Sequence, residues 1–221
     1  MAEPASEVKE TARRRRTRER LMDAAHALFA AQGVNASSIE TIAEAAGFTR
    51  GAFYSNFESK NELFFAMLRR ECDIRIESLR EAVAHHIPDN TSATISPGFI
   101  SQVITDVFAA LPDDRNWELI HSEFELLALR DADAAPEFLA AEERFRSELS
   151  EVLVATAKTM GLRFVIDPLI ATDLVMMQYK WAVRQAILRH ADDTRVETHD
   201  VMLETMPTLL AQLLEPIGNQ S

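Results

Sequence analysis

Six arginines crowd into eight positions near the amino terminus, at residues 13–16, 18 and 20. Guanidinium groups at this density suit contacts with a polyanion such as the phosphate backbone of a nucleic acid. The charge is uneven along the chain, since residues 1–70 hold 11 Lys or Arg against 9 Asp or Glu, while residues 71–221 hold 12 against 26. A basic end on an acidic body would orient that end towards a polyanion. The charge pattern alone is equally consistent with a solvated tail that aids solubility.

Other residues that could do chemistry do not form a recognisable site. His121 and Glu125 stand four residues apart, and His85 and His86 precede Asp89, but no third ligand has a spacing typical of a metal centre. The single cysteine, Cys72, excludes an intramolecular disulfide framework and a multi-cysteine zinc or iron–sulfur site. The sequence has no Gly-rich phosphate loop, nucleophile elbow or Cys–His pairing signature. We therefore predict no metal, no cofactor and no enzymatic activity.

The bulk composition is that of a folded protein. Of the 221 residues, 47% are apolar, which is enough for a substantial core, and only six are glycine. The longest uncharged run, residues 90–105, is rich in Ser, Thr and Pro, and no apolar stretch follows the arginines. We therefore expect neither a membrane span nor a secretory signal, and a cytoplasmic location.

Apolar residues recur at helical spacing along nearly the whole chain, and no sustained two-residue alternation appears. The pattern predicts an all-α protein of about nine helices. Residues 85–98, with two prolines and a Ser/Thr-rich middle, are expected to form a loop, and Phe99, Val103 and Val107 mark a helix after it. The closing pair is predicted at about residues 168–190 and 198–214, with Pro207 kinking or restarting the last helix.

Turn and capping signals divide the first 65 residues into four helices. Gly33 is expected to end the first helix in a left-handed conformation. Ser37 with Glu40, and Ser59 with Glu62, have the spacing of capping boxes that open a second and a fourth helix. Thr49 can cap a short third helix.

The second and third of these helices have the proportions of a helix-turn-helix, at residues 39–46 and 50–56. Ala43 is small enough for the two helices to approach closely, and Gly47 supplies the positive φ that the tight turn requires. Four apolar residues are placed to lock the crossing: Ile42, Phe48, Phe53 and Phe57.

The stretch of residues 30–64 resembles the DNA-binding domain of TetR-family transcriptional regulators. The features that match are Gly33, Ile42-Ala43, Ala46-Gly47, Phe53-Tyr54, Phe57, and Ser59-Lys60 followed by Glu62-Leu63. The remaining chain is similar to the family only in length, helicity and the closing helix pair. The resemblance implies three parts: a basic, flexible arm (residues 1–16), a helix-turn-helix domain (17–62), and a ligand-binding and dimerisation domain (63–221).

The resemblance also implies which residues meet DNA. Arg50, Gly51 and Ala52 would face the major groove, with Ser55 one turn on, and Arg50 has the donor fork for a guanine. Gly51 departs from a good recognition helix, because glycine weakens a helix by about 1 kcal/mol relative to alanine. Contacts to phosphates are expected from Tyr54, Thr49, Ser38, Lys60, Arg16 and Arg18.

In the family the larger domain binds a small molecule and pairs with a second copy through the last two helices. The segment of residues 168–190 carries two apolar strips, separated by the charged residues Asp173, Lys180 and Arg184. The first strip contains Ile170, Leu174, Trp181 and Leu188, and the second contains Leu169, Met176, Val183 and Ile187. Both strips would be explained if one faces the core and the other faces a dimer partner. In the alternative, Arg184 or Lys180 reaches an anionic group of a ligand. The ligand candidates are Phe108, Trp117, His121, Phe124, Met177, Met67, Cys72 and Arg184. The dimer candidates are Met176, Trp181, Met202, Met206, Leu210 and Leu213.

These expectations combine into a homodimeric regulator that binds double-stranded operator DNA. By family expectation it is a repressor, released from a near-palindromic operator by a small, mainly apolar ligand. The alternative is a helical small-molecule-binding protein with a vestigial DNA-binding domain. A third reading has a protein partner bound through the acidic body.

Overall fold

The computed structural model describes residues 4–86, 114–189 and 199–217, which form eight helices and one two-stranded sheet. The helices are α1 (Pro4–Gln32), α2 (Ile39–Ala45), α3 (Arg50–Tyr54), α4 (Lys60–His86), α5 (Asp114–Arg130), α6 (Ala135–Thr159), α7 (Pro168–Arg189) and α8 (His199–Leu213). The all-α prediction is confirmed, and the helix count of this part of the chain is close to the nine expected. Phe108 and the helix predicted after residue 98 lie outside the described residues.

The first helix is longer than predicted. α1 begins at Pro4 and runs through all six clustered arginines, so the segment predicted as a flexible arm is helical from Pro4 onwards. Proline is favourable at the first helical position, and no glycine or further proline interrupts the chain before Gly33. Glu19 also stands among the arginines and forms an ion pair with Arg15 at 3.6 Å, one helical turn away.

The short helices begin and end at the predicted kinds of residue, with one correction. Ser38, rather than Ser37, caps α2 by accepting a hydrogen bond from the Thr41 backbone N–H at 3.1 Å. Ser37 is fully buried and donates to the Gly33 carbonyl instead, so the predicted capping box with Glu40 is wrong. Thr49 caps α3 through the Ala52 N–H, as predicted.

The described residues pack into two compact units. The first contains α1 to α3, α4 as far as Glu71, and Leu119–Leu139. The second contains α4 from Cys72, α5 as far as Glu118, and the chain from Ala140 onwards. Leu119–Leu139 therefore packs with the amino-terminal helices, although it is distant from them in the sequence. The predicted boundary after residue 62, between a DNA-binding and a ligand-binding domain, stays a prediction.

Each unit has its own core. In the first, Phe64 stacks on Phe124 and meets Phe29 edge-to-face at 5.3 Å between ring centroids. In the second, α7 and α8 bury a cluster of Ala171, Val175, Ala182, Met206 and Leu213. A neighbouring cluster joins Ile76 of α4 to Leu149 and Val152 of α6.

The second unit also contains a sheet that the sequence did not predict. β1 (Leu162–Phe164) pairs antiparallel with β2 (Leu214–Pro216), and Arg163 opposite Glu215 forms an ion pair at 2.6 Å. Strands of three residues are too short to show an alternating pattern. The sheet anchors the segment after α8. α8 itself runs through Pro207 as one helix and does not restart there. Among the described helices, none is both long and apolar enough to cross a bilayer.

Candidate nucleic-acid interface

The structure builds the predicted helix-turn-helix from α2, α3 and the four residues between them. Gly47 has φ +72°, and the Phe48 N–H donates to the Ala43 carbonyl at 2.8 Å, which closes the turn. Ile42, Phe53 and Phe57 are at most 1% exposed and hold the crossing. Phe48, the fourth residue predicted to lock it, is only partly buried.

The opposite face of α3 is open to solvent. Arg50, Gly51, Tyr54 and Ser55 are exposed, and Ala52 is partly buried. A side-chain carbon added at Gly51 would meet only the Thr49 hydroxyl, at 3.8 Å. The residues predicted to face a groove therefore lie together on one surface that another molecule can approach.

Arg50 is held from two sides. Its Nη1 lies 2.7 Å from Oε1 of Glu40, in the first turn of α2, and its guanidinium lies 5.5 Å from the centre of the Tyr54 ring. A hydrogen bond with Tyr54 and the negative charge of Glu40 raise the pKa of Arg50 further above its ordinary value. Sequence reasoning missed Glu40 as a partner because its spacing from Ser37 suggested a cap.

Several of the groups predicted to contact DNA have partners inside the domain. The Ser38 and Thr49 hydroxyls cap α2 and α3, and the Ser55 hydroxyl donates to the Gly51 carbonyl at 2.9 Å. Lys60 donates through Nζ to the carbonyls of Val34 at 3.0 Å and Ser37 at 3.2 Å. These bonds hold the loop between α1 and α2, so a phosphate contact by Lys60 would compete with a structural role.

Some arginines of α1 contact the rest of the domain, and others are open to solvent. Arg18 is turned inwards, where it donates to the Asn56 carbonyl and lies 3.9 Å from the centre of the Phe57 ring. These contacts give Arg18 a structural role, and its predicted phosphate contact would compete with them. Arg16 is exposed and lines a cleft of about 450 Å³. The cleft is lined by Ala12, Arg13, Arg16, Thr17, Arg20 and Phe48.

Arg20 anchors this cleft to the helix-turn-helix. It donates to the Ala46 carbonyl at 2.7 Å, and its guanidinium lies 4.6 Å from the centre of the Phe48 ring. Arg13, Arg16 and Arg20 stand three and four residues apart, which is the spacing of one helix face. That periodicity could have identified the set from the sequence.

The ligand candidates fall into both units. Met67, His121 and Phe124 are buried in the first, whereas Cys72 and Trp117 are buried in the second. Burial in apolar surroundings, with acidic neighbours, raises the pKa of the Cys72 thiol to about 12. Met177 is 67% exposed, and its role as a pocket residue stays a prediction. The cavity described in the second unit has other lining: Arg80, Val83, Ala84, Glu151, Val152, Ala155, Thr156 and Thr159.

The charged line of α7 is paired within the second unit. Asp173 accepts two hydrogen bonds from Arg146, at 2.6 and 2.8 Å, which hold the pKa of its carboxyl below the ordinary value. Lys180 lies 3.3 Å from Glu142. Arg184 pairs with Glu118, a buried carboxylate on α5. The structure thus gives these charges acidic or basic partners in the same chain, which favours packing over the anionic-ligand alternative.

The dimer candidates differ in burial. Met206 is 1% and Leu213 is 6% exposed, while Leu210 packs on the same cluster and Met176 packs against the cluster around Ile76. Met206 and Leu213 are thus covered by their own chain, whereas Leu210 and Met176 keep part of their surface, and the role of all four at a dimer interface stays a prediction. Trp181 is 47% exposed. The side chain of Met202 lies outside the described residues.

Trp181 belongs to a row of exposed apolar side chains on α7, which we call the α7 stripe. Its residues are Ile170, Leu174, Met177, Trp181 and Leu188. Four of the five form the first of the two strips in the sequence. The second strip faces inwards, as shown by Val183 at 1% exposure.

An all-helical chain that carries such a unit near its amino terminus is a helix-turn-helix protein. Residues 21–67 match the family model described as bacterial regulatory proteins, tetR family. The resemblance found in the sequence is confirmed for this segment, which contains the helix-turn-helix.

Individual relatives agree with this assignment. The chain is 40% identical over 72 residues to the probable acrEF/envCD operon repressor of Escherichia coli K12, a match that spans 33% of this chain and only 30% of that protein. A putative TetR-family regulator from Mesorhizobium loti has the same fold, with a TM-score of 0.68 at 19% identity over 90% of this chain and 97% of that one. The regulator FadR from Bacillus subtilis, solved in complex with stearoyl-CoA, has a TM-score of 0.62 at 17% identity, over 88% and 98%.

Proposed function

We propose that the chain is a sequence-specific DNA-binding transcriptional regulator that acts as a homodimer and releases its operator when a small molecule binds. The observation that carries this proposal is the solvent-open face of α3, with Arg50, Gly51 and Tyr54 presented above the buried Ile42, Phe53 and Phe57. A rigid base beneath a polar face is what a helix needs to enter a major groove. Repressor is the family expectation for the direction of regulation.

Each part of the interface has a distinct task in this proposal. Arg50 donates two hydrogen bonds to a guanine, a contact worth roughly 1–3 kcal/mol of discrimination. Gly51 and Ala52 leave room for the helix to approach the bases. Tyr54 and the exposed Arg13 and Arg16 of α1 bind phosphates, which position the helix without reading the sequence.

The α7 stripe supports the homodimer. Five large apolar side chains exposed along one helix are typical of a surface that another molecule covers. A two-fold dimer would place two α3 helices roughly 34–36 Å apart, on two half-sites of a near-palindromic operator. A protein that binds chromosomal DNA in a bacterium acts in the cytoplasm.

The effector is proposed to be a mainly apolar molecule with one polar group. Most of the ligand candidates named from the sequence are aromatic or sulfur-containing, and a pocket lined by side chains of this kind would take such a ligand. The FadR neighbour was solved with stearoyl-CoA, which joins a long apolar acyl chain to a polar coenzyme A group. Tenfold release of DNA requires the ligand to favour the non-binding form by about 1.4 kcal/mol.

The test is binding of the purified chain to labelled DNA from upstream of its own gene, at two salt concentrations, against scrambled DNA. Arg50→Ala should remove the preference for the upstream DNA and leave salt-sensitive binding to both. Arg163→Ala, which removes an equally exposed, ion-paired arginine of β1, is the matched control and should keep the preference. Equal binding of the native chain to upstream and scrambled DNA, together with none selected from a random pool, would overturn the proposal in favour of a vestigial domain.

A further inference from the structure

Glu40 is an unusual residue for a DNA-binding face, because it places a carboxylate where a polyanion must approach. It sits in the first turn of α2, where a negative charge is favoured by the helix dipole, and its side chain is 54% exposed. Its carboxylate lies 2.7 Å from Arg50, whose side chain is 63% exposed. An ion pair this open to water contributes little to folding stability. Its consequence is therefore the orientation of Arg50.

We propose that Glu40 is a positioning residue that sets DNA specificity by fixing the guanidinium of Arg50 for a base and withholding it from phosphates. The inference rests on the proposed function. It adds a residue that touches no base in this account and acts through Arg50.

The geometry leaves Arg50 able to read a base while it is held. Glu40 occupies Nη1, and the Tyr54 ring lies 5.5 Å from the guanidinium carbon on another side. A guanidinium has five N–H donors in a planar fork, so an arginine that is bonded to Glu40 and Tyr54 still has donors for the O6 and N7 acceptors of guanine. Two protein contacts reduce the rotamers available to a side chain that is otherwise free at the surface.

The charge of Glu40 acts differently on the two kinds of complex. In a non-specific complex, arginine binds phosphates, so Arg50 must leave Glu40 and the carboxylate is left facing the phosphate backbone. In the specific complex Arg50 keeps Glu40 and gains a guanine. Glu40 therefore weakens binding to all DNA, and weakens non-specific binding more.

The experiment compares Glu40→Gln with Glu44→Gln, which removes the same charge from an exposed position one turn later on α2. The probe is a duplex selected from a random pool by the full-length native chain, with a scrambled duplex of the same composition. Glu40→Gln should bind the scrambled duplex about tenfold more tightly and the selected duplex about twofold more tightly, so that the ratio of selected to scrambled affinity falls about fivefold. The slope of log K against log salt on scrambled DNA should steepen by about 0.9, as one phosphate contact is added. Glu44→Gln should strengthen both duplexes alike and keep the ratio within twofold.

A second comparison tests whether the effect passes through Arg50. In an Arg50→Ala background, Glu40→Gln should no longer change the ratio. An unchanged ratio in the single variant, the same ratio change in Glu44→Gln, or a ratio change that persists without Arg50 would each overturn the inference. If the native chain enriches no sequence from the pool, the proposed function fails and this inference fails with it; an enriched sequence with an unchanged ratio overturns the inference alone. Circular dichroism should show the same helicity in every variant, because both glutamates are exposed.

Discussion

Charged side chains around the helix-turn-helix divide into those that hold the domain together and those left for a partner. Arg18, Arg20 and Lys60 donate to backbone carbonyls within the domain, whereas Arg16 and Arg50 are exposed. Carbonyls at helix ends lack partners in their own helix, so a nearby cation satisfies them and fixes the adjoining loop. Because some of these cations bind backbone carbonyls, the number of basic residues in the sequence exceeds the number of basic groups available to DNA.

Lys60 gives the sharpest test of this division. Lys60→Ala removes two hydrogen bonds to the loop between α1 and α2, and should lower the free energy of unfolding by about 1 kcal/mol. Lys158→Ala, at an exposed position in the last turn of α6, should change it by less than about 0.5 kcal/mol. Urea unfolding followed by circular dichroism measures both. Unchanged stability in Lys60→Ala, with a large loss of DNA affinity, would show a phosphate contact instead.

Cys72 predicts how stability depends on alkaline pH. Burial raises the pKa of its thiol from an ordinary 9.0 to about 12, so above pH 9 the unfolded chain loses a proton that the folded chain keeps. The unfolded state is then favoured, and stability falls as pH rises between these two values. Relative to Cys72→Ala, the native chain should lose about 1.4 kcal/mol of unfolding free energy per pH unit above 9. Urea unfolding of both at pH 8, 9 and 10 provides the measurement, and parallel curves would contradict the prediction.

At the scale of elements, the turn between α2 and α3 depends on a glycine for two reasons that can be separated. Gly47 has φ +72°, and a side-chain carbon added there would lie 3.0 Å from Nη2 of Arg20, the atom that donates to Ala46. Gly161 has nearly the same φ, +70°, with nothing within 4 Å of an added carbon. Alanine at either position incurs the backbone strain, roughly 1 kcal/mol, and only Gly47→Ala also displaces Arg20.

We therefore expect Gly47→Ala to destabilise the protein more than Gly161→Ala, by about 1 kcal/mol for the lost hydrogen bond. Gly47→Ala should also weaken binding to specific DNA, because the turn sets the direction of α3. Thermal unfolding and DNA titration of the two variants test this. Equal destabilisation would mean that Arg20 adjusts without loss.

The same scale shows what the sequence could predict. Gly33, Gly47 and Thr49 carry local signals, since a positive φ or a helix cap depends on few neighbours, and each was placed correctly. Ser37 was mistaken for the cap of α2 because Ser38 beside it has the same chemistry. Glu40 and Lys60 were assigned other roles, because their partners lie 10 and 23 or more residues away and only the fold brings them together. Helical periodicity revealed two apolar strips on α7, but periodicity is the same for an inner and an outer face.

At the scale of the whole molecule, the uneven charge and the α7 stripe act together in the proposed regulator. A chain with a net charge of −12 is repelled by DNA except through its basic end, which steers binding by orientation. A single chain reads few bases, because it has one α3. In a dimer, once the first α3 is bound, binding of the second is effectively intramolecular, which raises the affinity beyond that of either chain alone.

The dimer is therefore the prediction on which the action of the whole molecule depends. Trp181→Glu places a charge within the α7 stripe and should convert a dimer into monomers at micromolar concentration, because burying an unpaired carboxylate is strongly unfavourable. Leu129→Glu, at a leucine of α5 that is 78% exposed, is the matched control and should leave the mass unchanged. Sedimentation velocity gives the mass of each. On DNA, Trp181→Glu should lose affinity for a duplex with two half-sites and keep the affinity of the native chain for a single half-site. A native chain that sediments as a monomer, or a Trp181→Glu variant that remains a dimer, would show that the two copies meet through another surface.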